Sequence, residues 1–393
     1  MISVVPGFRF SALSAGVRKD GRIDVALAAA DGPAAVAGVF TRNLVRAAPV
    51  EVALQRVRTG VTRAVLVNSG CANACTGKAG LDATLDSTAA VAQALGADPS
   101  AVLPASTGVI GAVLPAQRIV ERAGELVGKL SSEGADDFAA AILTTDRWKK
   151  MASTALKTDG GHATLLAIGK GAGMIHPDVG PPHATMLVFL FTDALLGGDE
   201  LQQALVAGCE QTFNACSVDG DTSTNDTVLA LASGASGRKV AAGVLAEGVF
   251  EVCDALARSM VADGEGTNHT VELRVRGLAT HEEARRVAKT VATSLLVKTA
   301  LFGQDPNWGR LLAAAGRAGV SFDPSEACIQ VGLVEIVRDG VGRGRGAEEL
   351  AKAIMQEPSF SIELSLGRGP GSARYLTSDL GHSYVDVNAG YRS

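Results

Sequence analysis

Apolar runs alternate along the first part of the chain with stretches in which apolar residues recur every three or four positions. RAVLVNSG (residues 63–70) and AVLPASTGVIG (residues 101–111) each hold an apolar run that ends in turn residues, a pattern typical of strands. DATLDSTAAVAQAL (residues 82–95) has apolar residues at helical spacing, and DDFAAAILTTD (residues 136–146) begins like a helix with an acidic first turn. The pattern predicts strands that alternate, irregularly, with helices.

A continuous apolar run marks the middle of the chain. The turn TDGGH at Thr158–His162, followed by the Ala- and Leu-rich ATLLAIGKGAG, predicts a β-hairpin. Residues Met186 to Phe191 are then apolar without interruption, as in a strand buried on both faces. A sheet covered by helices on both sides explains such a strand.

The second half of the chain continues this alternation. It predicts helices over residues 200–216, 246–266 and 281–303, and a strand over His269–Gly277. The sequence shows no internal repeat, and its composition changes most at Pro177–Pro182. That proline-rich segment is the best candidate for a break in the chain.

Composition indicates a large core of small side chains. The 393 residues suggest about two to three domains. They are 47% hydrophobic and 4% aromatic, with 46 glycines. The net charge of −5, without a basic cluster, argues against nucleic acid as a partner. The sequence has no signal-peptide pattern and no apolar run of the roughly 18–20 residues that span a bilayer, so we expect a soluble, cytoplasmic protein.

The six cysteines are irregularly spaced and include no CxxC pair. We therefore expect ordinary buried thiols rather than a disulfide framework or a zinc site. The histidines form no HExxH motif, and no metal site is predicted. The cysteines are Cys71, Cys75, Cys209, Cys216, Cys253 and Cys328.

The segment PPHATML raises the first candidate for catalysis. A threonine hydroxyl is a weak nucleophile unless a base takes its proton, and the residue's own α-amino group can do so once the preceding peptide bond is cut. Pro181 and Pro182 restrain the chain before Ala184 and Thr185, and Ala184 offers an unhindered carbonyl. On these residues alone, a proline turn before a buried strand is the simpler interpretation, and self-cleavage is the alternative.

Three further candidates are weak by themselves. Thr107 and Gly108 can direct a hydroxyl and a backbone N–H at one point, as an oxyanion site requires, but a plain turn explains them too. Lys170 lies in IGKGAGM, where Gly171 occupies the place of the Ser or Thr of a phosphate-binding loop. Glu265 in DGEG is, on its own, an ordinary exposed turn residue.

Eight segments in order along the chain favour the catalytic interpretation of these candidates over the plain structural one. They are VNSGCANACTG, ASTGVIG, ILTTD, KGAGMIHP…ATMLVFLFTDA, TFNACSVDGDTSTNDT, DGEGT, VKTALFGQDPNWGR and YVDVNAGY. With them the chain resembles, over nearly its whole length, the ornithine acetyltransferase family, the bifunctional glutamate N-acetyltransferases of arginine biosynthesis.

The resemblance implies a role for each candidate. Cleavage between Ala184 and Thr185 would make Thr185 the N-terminal nucleophile, and Thr107 with Gly108 would form the oxyanion hole. Lys170 would hold a substrate carboxylate, and Glu265 would suit the ammonium group of ornithine. The implied substrate-binding residues are Thr144, Lys170, Thr185, Glu265, Asn388 and Ser393, of which the last two belong to a tail that closes over the substrate.

The resemblance also implies the reaction and the assembly. An acetyl group would pass from N2-acetylornithine through acetyl-threonine to glutamate, without metal or organic cofactor, and acetyl-CoA is a second candidate donor. The implied fold is a layered α/β sandwich close to the N-terminal-nucleophile hydrolases, self-cleaved into fragments 1–184 and 185–393 that form an α2β2 heterotetramer. A related self-cleaving aminopeptidase or amidohydrolase is the first alternative, and an uncleaved binding or structural protein is the second.

The chain departs from the family pattern in two places. The loop HPDVGPPHATML is a few residues longer than usual, with His183 before Ala184, and RWKK after Asp146 replaces the usual continuation. Thr145 neighbours Thr144 and competes with it for the substrate-binding role. Two stretches within the eight segments, 222–227 (TSTNDT) and 305–310 (DPNWGR), are interpreted as architectural, with a tryptophan as packing anchor in the second, and direct support of the site is the alternative for both.

Overall fold

The structure is a computed structural model that describes residues 4–177, 179–180 and 186–390. The strands of the described residues are β1 (Phe8–Leu13), β2 (Val25–Thr41), β3 (Val61–Cys71), β4 (Val102–Val109), β5 (Lys150–Thr158), β6 (Gly161–Lys170), β7 (Val179–Gly180), β8 (Leu187–Thr192), β9 (Cys216–Ser217), β10 (Thr227–Ala232), β11 (Thr270–Gly277), β12 (Cys328–Val331), β13 (Val334–Arg338), β14 (Val341–Gly342), β15 (Ser359–Ser365) and β16 (Gly369–Ser378). The α-helices are α1 (Ala48–Val57), α2 (Gly77–Leu95), α3 (Ala116–Gly128), α4 (Ala135–Ala141), α5 (Gly198–Gln211), α6 (Ala242–Ala262), α7 (His281–Ala292), α8 (Leu295–Phe302), α9 (Trp308–Gly316), α10 (Arg345–Ile354) and α11 (His382–Gly390).

These strands form two sheets. In the described residues, one sheet has nine strands in the order β4-β3-β2-β10-β8-β6-β5, with β1 and β7 also pairing with β2. The other has seven strands in the order β14-β13-β12-β15-β11-β16-β9. The first sheet therefore contains strands from both sides of the predicted cleavage site, whereas the second is formed after it.

Strand β8 lies inside the first sheet, antiparallel to β6 on one side and parallel to β10 on the other. All six of its residues are buried. Val188 and Leu190 face a core that includes residues of α5 and α6. Phe189 and Phe191 face a second core, where their rings meet that of Phe138 from α4 edge to face. The predicted doubly buried strand and the layered α/β fold are thus confirmed.

The predicted helix over 281–303 is wrong in one respect, because it is two helices. Helix α7 ends at Ala292, and α8 begins after Ser294, whose backbone is extended at ψ 116°. A serine favours such a position because its hydroxyl competes for backbone hydrogen bonds inside a helix. The other sequence-predicted elements lie within one to five residues of the strands and helices in the structure.

The cysteines follow the prediction only in part. Cys71, Cys209, Cys216 and Cys253 are buried, but Cys75 is exposed and Cys328 is half-buried. The expectation of buried thiols is therefore wrong for Cys75. Separately, none of the helices in the described part of the chain combines the length and the apolarity needed to cross a bilayer.

Candidate active site

A cavity of about 230 Å³ lies where ends of several elements of the first sheet meet the turn after α6 and the helix α11. Its wall contains every sequence-predicted site residue that the structure describes. These are Thr107, Gly108, Thr144, Lys170, Glu265 and Asn388. Ala184, Thr185 and Ser393 lie outside the described residues. Met186 and Leu187, the first described residues after Thr185, line the same cavity.

Lys170 joins two of the predicted residues. It is the last residue of β6 and is 8% exposed. Its ammonium group donates hydrogen bonds to Thr144 Oγ1 at 2.9 Å and Thr107 Oγ1 at 3.3 Å. Thr145 also lines the cavity, but the bond to Lys170 belongs to Thr144, which favours Thr144 of the two. The three side chains therefore act as one unit in the cavity wall.

Gly108 allows Thr107 to reach this unit. The two residues lie within β4 rather than in the predicted turn, and Gly108 pairs with Gly70 of β3. Gly108 has φ +130°, and a Cβ atom there would lie 2.3 Å from the carbonyl carbon of Gly70. A glycine is therefore required by the backbone conformation and by the close approach of the two strands.

Glu265 and Asn388 form a second side of the cavity. Glu265 follows the end of α6, and its carboxylate accepts a hydrogen bond from Asn388 Nδ2 at 3.0 Å. Gly266, with φ +72°, lets α11 approach, because a Cβ atom there would lie 2.4 Å from the backbone nitrogen of Tyr384. Asn388 itself is exposed on α11, so the described part of the tail covers this side.

Further acidic residues in the wall were not among the sequence-predicted site residues. Asp219 and Asp221 line the cavity near Tyr384. Burial raises the pKa of Asp219 to about 6, and its carboxylate accepts hydrogen bonds from the backbone of Met174 at 2.6 Å and Ile175 at 2.9 Å. Burial, with these carboxylates and Glu265, raises the pKa of Tyr384 to about 12. SVDGD belongs to one of the eight family segments, but no sequence signal indicates that its carboxyl groups face the cavity.

The turn TSTNDT is both architectural and part of the cavity wall. Asn225 Nδ2 donates hydrogen bonds to the carbonyls of Ala72 at 2.6 Å and Ser106 at 2.9 Å, which ties the turn to the strand that carries Thr107. Asp226 is fully buried, and burial raises the pKa of its carboxyl group well above the ordinary value. Ser223 to Asp226 line the cavity, so this segment contributes more than its predicted architectural role.

A family model described as the ArgJ family matches residues 9–393 of the chain. The chain belongs to the ArgJ family. The arginine biosynthesis bifunctional protein ArgJ of Geobacter sulfurreducens is 44% identical over 395 residues, which cover 99% of this chain and 100% of the relative. The protein of the same name from Desulfotalea psychrophila is 43% identical with the same coverage. The crystal structure of the arginine biosynthesis bifunctional protein ArgJ from Bacillus halodurans matches with a TM-score of 0.50 at 36% identity, covering 52% of this chain and 98% of that one.

Membership of the ArgJ family confirms the family predicted from the eight segments. It also confirms the predicted class of enzyme, an acetyltransferase of arginine biosynthesis. The DPNWGR segment has the predicted capped turn: the side chain of Asn307 accepts a hydrogen bond from the Arg310 backbone, and Trp308 packs against the core of the second sheet. Among the described residues, this segment takes no part in lining the cavity.

Proposed function

We propose that the chain cleaves itself between Ala184 and Thr185, and that Thr185 then carries acetyl groups from N2-acetylornithine to glutamate. One observation carries the proposal: Lys170, Thr107 and Glu265 line the same cavity as Met186, which is bonded to Thr185. The names of the ArgJ relatives, which place them in arginine biosynthesis, support the same reaction.

Self-cleavage needs no group beyond the chain and water. The Thr185 hydroxyl attacks the carbonyl carbon of Ala184, and the acyl group moves from the nitrogen of Thr185 to its oxygen. Water then hydrolyses the ester, which leaves a carboxylate on Ala184 and a free α-amine on Thr185. That amine has an ordinary pKa of about 7.7–8.0, so part of it is neutral near pH 7 and can act as a base.

Acetyl transfer consists of two successive nucleophilic attacks on the acetyl carbonyl. The amine takes the hydroxyl proton as Thr185 attacks the acetyl carbonyl, and ornithine leaves with a proton on its nitrogen. The amino group of glutamate then attacks the acetyl ester, and N-acetylglutamate is released. Thr107 suits the oxyanion because its oxygen accepts a bond from Lys170, so its own hydrogen is available to the negative charge. Gly108 contributes its backbone N–H.

The charges of the cavity suit amino-acid substrates. The Lys170 ammonium group provides a partner for a substrate carboxylate. Glu265, with Asp219 and Asp221 nearby in the wall, suits the side-chain ammonium group of ornithine. Glutamate ends in an anion instead, so the same site must accept opposite charges in turn. This pairing favours the transferase over the aminopeptidase or amidohydrolase alternative, which would pass the acyl group to water.

Two finer points complete the proposal. The word bifunctional in the names of the relatives supports acetyl-CoA as a second donor to glutamate. Fragments 1–184 and 185–393 would stay together, because β8 and β10 of the second lie beside β6 and β2 of the first in one sheet. Two such pairs are proposed to form the α2β2 heterotetramer.

Intact-mass measurement with an acetyl-transfer assay tests the proposal. Wild type is expected as fragments 1–184 and 185–393, with one acetyl group trapped on the second after incubation with N2-acetylornithine. Thr185→Ala should stay a single chain without transfer, while Thr154→Ala, on an outer strand, serves as the matched control. N2-acetylornithine and acetyl-CoA are supplied separately as donors. A wild type that transfers acetyl yet stays whole would refute the N-terminal nucleophile.

A further inference from the structure

Asp146 is the centre of a buried group of charges behind the cavity wall. Its side chain is fully buried. One carboxylate oxygen accepts hydrogen bonds from Lys150 Nζ and from the backbone N–H of Gly171, both at 2.7 Å. The other accepts one from the backbone N–H of Thr144 at 3.1 Å. Asp146 is thereby bonded to the main chain of Thr144 and to the residue that follows Lys170.

The same carboxylate also lies close to the Lys170 ammonium group, at 3.9 Å. Burial alone would raise the pKa of Asp146, but Lys170 and Lys150 outweigh it and lower the pKa to about 2. Asp146 is therefore an anion at neutral pH. Within the described residues, it is not part of the cavity wall itself. Any effect on a substrate must pass through its partners in the wall, which are Lys170, Thr144 and Gly171.

Lys150 pairs with both Asp146 and Asp263, so the buried group of charges extends beyond Asp146. Lys150 is fully buried, and its ammonium group also donates to Asp263 at 2.5 Å. Asp263 also accepts hydrogen bonds from Arg147: the backbone N–H is shared between its two oxygens at 3.0 and 3.2 Å, and the guanidinium group donates at 2.8 Å. Asp263 follows α6, two residues before Glu265. The charges thus extend from Lys170 to the turn that carries Glu265, and they connect both predicted fragments.

We propose that Asp146 is a positioning residue, which fixes the Lys170 ammonium and the Thr144 hydroxyl where a substrate carboxylate will bind. The inference rests on the proposed function. A carboxylate substrate leaves and another enters during the reaction, so Lys170 loses its external partner in every cycle. A buried cation without a partner is costly. Asp146 supplies a permanent negative charge, and its two backbone bonds keep Lys170 and Thr144 in register.

A double-mutant cycle tests whether Asp146 acts through Lys170. Asp146→Asn keeps the shape of the side chain and removes the charge. It should lower kcat/KM for both half-reactions on the order of 100-fold, as expected when substrate-positioning groups are displaced. In a Lys170→Met background, the same substitution should change kcat/KM only a few-fold. Equal losses in both backgrounds would overturn the proposal, because a merely structural residue gives additive effects.

A second variant covers the case in which Asp146→Asn does not fold. Asp146→Asn combined with Lys150→Met removes one charge of each sign, and Asp263 keeps its bonds to Arg147. The paired variant should fold and should show the same loss in kcat/KM. Wild-type kinetics in this variant would contradict a positioning role for Asp146.

A matched control comes from another ion cluster. Asp254→Asn breaks pairs with Arg258 and Arg374, none of which lines the cavity among the described residues. Its kinetics should match wild type. The two proposals fail differently: a wild type without acetyl transfer refutes the proposed function and this inference with it, whereas a transferring wild type with additive variants refutes the inference alone.

Discussion

The two sides of the cavity are built in different ways. Lys170 is buried, stands at the end of a strand, and bonds to Thr107 and Thr144. Glu265 lies in a turn and is half-buried, and its partner Asn388 is exposed on a helix that buries none of its residues. One side is part of the core of the first sheet, and the other is a turn covered by the chain's tail.

This difference matches what the proposed substrates share and what they do not. N2-acetylornithine and glutamate both carry an α-carboxylate, which needs a cation in a constant place. Their side chains end in opposite charges, which need a side of the cavity that can adjust. A preorganised group lowers the barrier because it needs no rearrangement during reaction. The buried side is therefore expected to govern the chemical step, and the exposed side to govern the choice between substrates.

The largest effect is expected at the buried side. Thr107→Ala should lower kcat about 100–1,000-fold with little change in KM, because an oxyanion donor acts mainly in the transition state. Steady-state kinetics on fully cleaved protein measure it, with Thr154→Ala as the matched threonine control. A change confined to KM would make Thr107 a contact to the bound substrate instead.

The second prediction concerns how folding stability depends on pH, which should have opposite signs for Asp219 in the cavity wall and Asp146 behind Lys170. Burial raises the pKa of Asp219 to about 6 from an ordinary 3.8, so the folded chain binds this proton more tightly than the unfolded chain. The resulting stability is complete below about pH 4 and is lost as the pH rises through about 6, by at most about 3 kcal/mol. Asp146, whose pKa is lowered to about 2, has the opposite sign and loses its contribution only as the pH falls toward 2.

Thermal unfolding between pH 4 and pH 7.5 checks this. The midpoint of wild type should fall relative to that of Asp219→Asn as the pH rises through 6. Parallel curves for the two proteins would mean that the Asp219 carboxyl group titrates alike in the folded and unfolded chains.

Lys170→Met should impair both half-reactions, by roughly 10–100-fold in kcat/KM, the range for losing a hydrogen bond to a charged group. The physical reason is that both substrates present a carboxylate to the same cation. The measurement is made on protein whose cleavage has been verified by mass. An effect on one half-reaction only would place the shared carboxylate elsewhere in the cavity.

Glu265→Gln should be selective. We expect about a tenfold loss in the ornithine half-reaction and a smaller loss with glutamate, because only ornithine offers a cation to this carboxylate. Rates for the two half-reactions, measured separately, decide the matter. Equal losses would assign Glu265 a task common to both, such as proton transfer, and the contrast between the two sides would disappear.

The smallest effect is expected from Asn388→Ala. Its bond to Glu265 is exposed, so its loss should raise KM only about two- to fivefold, in line with a weak neutral hydrogen bond. The kcat should be unchanged. A loss in kcat as large as that of Thr107→Ala would show that the tail takes part in the chemical step.

Several elements could be predicted from the local pattern. Met186 to Phe191 reads as a strand buried on both faces because its apolar run has no interruption, and β8 matches it. The hairpin around TDGGH follows from turn residues between two strand-like runs, and β5 pairs with β6 as expected. The single predicted helix over 281–303 does not show the break between α7 and α8, because one serine in a periodic apolar pattern gives no signal of an extended backbone.

The candidate site also contains residues that the sequence could predict and residues that it could not. The family segments identified Thr107, Lys170 and Glu265 as functional candidates, and the first two carry short-range signals such as glycines at strand ends. Asp146 and Asp219 carry no such signal. A carboxylate in a turn is usually solvated, and only the fold shows that the Asp146 side chain is fully buried and that Asp219 is half-buried, with burial raising its pKa.

The sequence by itself therefore determined the apolar strands, most of the helices, the family and the residue types available for acyl transfer, since each depends on neighbours along the chain. The tertiary structure decided which of these residues share a cavity, which threonine bonds to Lys170, and which carboxylates lose contact with water. The physical reason is that burial and charge pairing depend on distances between residues far apart in sequence. Lys150 and Asp263, 113 positions apart, meet at 2.5 Å only because β5, the first strand of the hairpin, packs against α6.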